Sequence, residues 1–122
     1  NGTNAALWNE WALLQSERGD TEIALQLLDR SIAIDGRYTT SYWLRANAYL
    51  SLGQIGPALA DYETALGIDP HLIAAWSGKA FALIQAGRLD EALRLNKGYD
   101  IKSWGLYWKT NVGRWLLDYS IR

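Results

Sequence analysis

A glycine returns every 34 residues in this chain, at Gly19, Gly53 and Gly87, and that spacing constrains the fold more than any other feature. The same step links Trp8, Tyr42 and Trp76, and also Ala12, Ala46 and Ala80. It links Ala24, Ala58 and Ala92, then Leu25, Leu59 and Leu93, and Ile34-Asp35 returns once as Ile68-Asp69. Registers that stay in phase at so many positions mark an array of similar units, each unable to cover its own apolar face until a neighbour stacks on it. At 122 residues the array makes a single domain.

Large apolar residues recur at three- and four-residue intervals on both sides of each glycine, which predicts two amphipathic helices per unit. In the second unit Tyr42, Ala46 and Tyr49 form one stripe, and Ala58, Tyr62, Ala65 and Leu66 form the other. Gly53 stands where the first helix must stop, because glycine adopts the left-handed conformation of a helix C-terminus without steric penalty. Pro57 suits the opening turn of the next helix, where its missing N–H is harmless. Asp90 suits a helix start in the third unit. Asp69-Pro70 closes the second unit, since a residue before proline is pushed out of helical geometry. The alanines let paired helices approach, while Trp8, Tyr42 and Trp76 fill the space between them.

The segments Trp8 to Asp35, Tyr42 to Pro70 and Trp76 to Leu95 resemble tetratricopeptide repeats. They share the order aromatic, small residue, glycine, alanine, large apolar, small residue and terminal Asp-Pro, over about three quarters of the chain. The resemblance implies an all-α, right-handed superhelical solenoid of antiparallel helix pairs, with a concave face lined by the first helix of each pair. The repeats fall at residues 5–38, 39–72 and 73–102. The third departs from the pattern: Asn96 and Tyr99 replace the expected large and small residues, Trp104 stands where proline is usual, and Gly98 interrupts. Its second helix is expected to end near Lys97, followed by a loop and a final helix over residues 103–121.

A tetratricopeptide solenoid implies a module that binds a protein or peptide in its concave face. By the same resemblance that face carries Asn9, Leu13 and Glu17, then Thr40, Trp43, Leu44, Asn47 and Leu50, then Ser77, Phe81, Ile84 and Gln85. Trp43 and Phe81 suit apolar anchors of a ligand, and Asn9 and Asn47 suit its backbone. Leu13, Leu44 and Leu50 have a second reading, as packing between neighbouring first helices. Members of the family that hold the acidic C-termini of heat-shock chaperones clamp two carboxylates with lysine, asparagine and arginine. The corresponding places here hold Asn9, Leu13, Leu44, Ala74 and Gly78, so no affinity for such tails is expected.

The C-terminus offers a rival surface. Residues 92–122 carry six basic and two acidic side chains in a chain whose net charge is −1. At helical spacing Trp104, Trp108, Trp115 and Tyr119 share a face. A basic helix with tryptophans suits a membrane surface, an acidic partner or self-association within a larger, membrane-associated complex. The preferred reading is a cap, because the flank of the third unit leaves an apolar face that must be covered.

Other chemistry finds little material. The near-neutral charge removes the attraction behind non-specific nucleic-acid binding. With no cysteine and one histidine, no metal site, cofactor or thiol chemistry is expected. His71 follows Pro70 in a connection with no catalytic motif around it, so the chain does not read as an enzyme. Gly53 to Gly56 lacks the strand and lysine of a phosphate-binding loop. No apolar run reaches the length of a membrane span. A chain that begins at Asn1 and holds no methionine reads as part of something longer, and Asn1-Gly2-Thr3 is a glycosylation pattern of low specificity.

Overall fold

The computed structural model describes residues 2–97. Within them the chain forms six helices and no strand: α1 Gly2–Glu17, α2 Thr21–Ile34, α3 Thr39–Ser51, α4 Ile55–Ile68, α5 Ile73–Gln85 and α6 Leu89–Lys97. The all-helical expectation is met. The helix expected over 103–121, and with it Trp104, Trp108, Trp115 and Tyr119, lies outside the described residues, as does Asn1. No described helix is long and apolar enough to cross a membrane.

Two kinds of turn alternate along the chain. Gly19, Gly53 and Gly87 follow α1, α3 and α5 with φ of +88, +76 and +78°, and a side chain at any of them would meet open space. The left-handed backbone, not crowding, therefore demands glycine there. In each case the glycine N–H and the next N–H turn back onto the helix; Gly53 N–H donates to Leu50 O and Gln54 N–H to Tyr49 O, both at 2.9 Å. These bonds satisfy carbonyls that the helix end would leave unpaired.

The turns between units are built on aspartate. Asp35 and Asp69 end α2 and α4 in extended backbone, with φ of −144 and −133°. Each carboxylate accepts the N–H two residues on, that of Arg37 or His71, at 3.1 Å, the side-chain turn that aspartate favours. Because α2 ends this way with Gly36 rather than proline after it, the aspartate is the common device, and Pro70 reinforces it. The in-step rings complete the turn: Tyr42 Oη donates to Gly36 O and Trp76 Nε1 donates to Pro70 O, both at 2.8 Å.

Each helix packs on the next, and α1, α3 and α5 also lie side by side. Alanine makes this possible. Ala12, Ala46 and Ala80, and likewise Ala24, Ala58 and Ala92, are all buried, so the backbones approach without bulky side chains between them.

The two joints between units are made of different residues at equivalent places. In the first, Ser31 and Ser41 are fully buried and 2.8 Å apart. Ser31 donates to Ala5 O at 3.0 Å, and Ser41 donates to Asn9 Oδ1 at 3.1 Å. Thirty-four residues on, Ala65 and Ala75 take the serines' places with no exposure. An ion pair crosses each joint: Arg45 to Asp29 at 2.9 Å in the first, Lys79 to Glu63 at 3.8 Å in the second.

Candidate binding groove

Side by side, α3 and α5 leave a groove of about 540 Å³, within the size range of pockets that hold ligands. Trp43, Asn47, Leu50 and Ser51 line it from α3, and Ala74, Ser77, Gly78, Phe81 and Gln85 line it from α5. Tyr62 of α4 also contributes to the lining. None of these side chains is charged.

Tyr62 reaches the groove from behind. It is the largest fully buried side chain among the described residues, and it rises between the two first helices because Gly78 has no side chain. A methyl on Gly78 would overlap Cε1 and Cζ of the tyrosine ring. Beyond that gap the phenol donates its hydrogen bond to Asn47 Oδ1. One side chain thus joins α4, α5 and α3 and forms part of the groove floor.

Burial pushes the Tyr62 phenol well above its ordinary value of 10.0, because the phenolate would lack solvation there. The folded protein keeps this proton at a pH where the unfolded chain releases it, so the unfolded state binds fewer protons and stability falls with rising pH. Stability linked to Tyr62 is fully present below about pH 10 and is lost progressively as pH climbs towards the folded value. The urea midpoint of the wild type should therefore drop more between about pH 10 and about pH 12 than that of Tyr62→Phe. Parallel decline in the two proteins would contradict the assignment.

The residues expected on the concave face divide in two. Trp43, Asn47, Ser77 and Phe81 come together on the groove, joined by Leu50 and Gln85. Asn9 does not: it is 4% exposed, turned into the joint with α3, where Ser41 is small enough to admit it. Its Nδ2 has no partner there. Leu44 packs on the cluster of Ala12, Ala24, Leu27 and Leu28, and Ile84 packs on Ala80, Leu83 and Ala92. One step round a helix turns a side chain by about 100°, which separates Leu44 from Trp43. Leu13 is exposed on α1 but is not among the groove-lining residues. Sequence reasoning missed Tyr62, which lies on a second helix, and gave Gly78 no role beyond lacking a clamp side chain.

Two family models described as tetratricopeptide repeat match the chain, one over residues 39–72 and the other over 57–100; together they cover just over half of it. The chain belongs to the tetratricopeptide repeat family. FlbA of Caulobacter vibrioides is 32% identical over 94 residues, covering 75% of this chain and 16% of FlbA. Human serine/threonine-protein phosphatase 5 is 32% identical over 71 residues, or 58% of this chain and 14% of the phosphatase. The chain thus spans under a fifth of either relative. Among solved structures, the second tetratricopeptide domain of Spaghetti (RPAP3), bound to the HSP90 peptide SRMEEVD, is 26% identical with a TM-score of 0.75, covering 80% of this chain and 90% of that one. The fold is the family's solenoid of antiparallel helix pairs.

Proposed function

We propose that this chain is a protein-interaction module that holds an extended segment of another polypeptide in the groove between α3 and α5. The observation that carries the reading is the convergence of Trp43, Asn47, Ser77 and Phe81 from two helices onto one groove. Phe81 is 38% exposed, a large apolar ring left in water beside polar side chains able to meet a peptide backbone. The related domain of Spaghetti (RPAP3), solved with a peptide bound, supports the same use of the fold.

A random heptapeptide library selected on the immobilised domain tests the reading without presupposing a ligand. Selected peptides should shift the amide resonances of α3 and α5, and Phe81→Ala, a substitution of an exposed ring, should weaken them about tenfold or more. Peptides that map to another surface, or that bind Phe81→Ala as well as wild type, would refute it.

A further inference from the structure

We infer that the groove is specific for an uncharged segment, which seats an apolar side chain between Trp43 and Phe81 and offers a backbone carbonyl to an Asn47 amide that Tyr62 holds in position. This rests on the reading above and narrows it to a class of ligand.

Charge comes first. Among the described residues no lysine, arginine or histidine lines the groove, and the cations nearest in sequence are engaged elsewhere. Arg45 is held by Asp61 and Asp29, and Lys79 lies beside Glu63. A carboxylate entering this groove would lose hydration and gain no counter-ion, which is strongly unfavourable. The peptide SRMEEVD, seen in the related domain, brings three side-chain carboxylates. A neutral segment loses little hydration, and its apolar side chain gains contact with Trp43 and Phe81.

Polarity gives direction to the contact. An asparagine side chain can present either a carbonyl or an amino group. Here the Tyr62 hydroxyl occupies Asn47 Oδ1, while Asn47 itself is exposed on the groove. The arm that Tyr62 does not engage is Nδ2, a donor, and its complement is a carbonyl oxygen. Tyr62 is therefore a positioning residue: it acts on the ligand through Asn47, and it can reach Asn47 only because Gly78 leaves the passage open.

The test uses a synthetic set of blocked hexapeptides with phenylalanine or leucine at the centre, each made with serine or with glutamate on either side, together with SRMEEVD. Fluorescence polarisation on the wild-type domain should rank the neutral peptides at least tenfold above their acidic twins and above SRMEEVD. Asn47→Asp keeps an acceptor for Tyr62 but replaces the donor arm, and Tyr62→Phe releases the amide. Each should weaken the best neutral peptide about tenfold with the helical circular dichroism retained. In an Asn47→Leu background, Tyr62→Phe should have no further effect, whereas a purely structural role for the hydroxyl would persist. Acidic peptides that bind in the groove as tightly as neutral ones would overturn this inference and leave the interaction module standing. Binding insensitive to Tyr62→Phe and Asn47→Asp would overturn the positioning role. Absence of binding by every peptide, in the random selection as here, would bring down both readings.

Discussion

Replacing Arg45 by alanine is expected to lower stability by about 3 kcal/mol or more, the penalty typical of a buried ion pair that loses one partner. The guanidinium donates to both oxygens of Asp61, at 2.8 and 2.9 Å, and to Asp29 at 2.9 Å. The two carboxylates are not equivalent. Asp29 is largely exposed, at 60%, and its bond contributes little after solvent screening. Asp61 is 6% exposed, and without Arg45 its charge would remain buried with no counter-ion. The loss should appear as a lower urea midpoint at unchanged m-value. The double substitution Arg45→Met with Asp61→Leu should recover most of it, because apolar residues of similar volume commonly replace a buried pair without loss. A stability of Arg45→Ala within about 1 kcal/mol of wild type would mean that Asp61 finds water or another donor.

Gly78→Ala should destabilise as well, although alanine is the better helix former by about 1 kcal/mol. The added methyl would overlap the Tyr62 ring, which is fully buried and tied to Asn47 at its far end. Forcing an extra carbon into a packed site typically costs 1–3 kcal/mol, about enough to outweigh the helical gain and leave a net loss. The sign should reverse when the ring is shortened. In a Tyr62→Leu background the passage is empty, and Gly78→Ala should stabilise by roughly its helix propensity. Thermal melts of the four proteins in this cycle would settle it; a Gly78→Ala effect of equal size in both backgrounds would show that the tyrosine ring simply swings aside.

That pair also shows how much of the molecule can be read from the chain alone. Helix ends were legible where their causes are local: a glycine suited to positive φ, a proline that tolerates only a first turn, and a residue that the following proline pushes out of the helix; the aspartate carboxylate that accepts the N–H two residues on was found only in the structure. The groove was half legible. Trp43, Asn47, Ser77 and Phe81 were named through the family resemblance, which implies which face of a first helix is left open. Asn9 shares that helical position and yet is buried, because the serine that receives it lies 32 residues away in sequence, and no local pattern announces such a partner. Tyr62 did leave a signal. Its counterparts one step earlier are Leu28 for the tyrosine and Leu44 for Gly78, so a large gain at one position coincides with loss of a whole side chain at the other. Read as a pair across the repeat, that exchange points to contact; read one residue at a time, it looks like noise.

The joints between units carry a consequence that the regular period conceals. In the first, Leu44 packs on the cluster that holds Leu28, Asp29 pairs with Arg45 and Ser31 bonds Ser41; in the second, Tyr62 fills the space beside Gly78, Glu63 pairs with Lys79, and Ala65 and Ala75 share a cluster. Excising the middle 34 residues would rejoin the backbone in phase, but would set Leu28 beside Gly78 and Ser31 beside Ala75, leaving a void and a hydroxyl with one fewer neighbour. Transposing the first two units would set Tyr62 against Glu10. Each hairpin is thus keyed to one predecessor, and a chain built from near-copies has only one workable order of assembly.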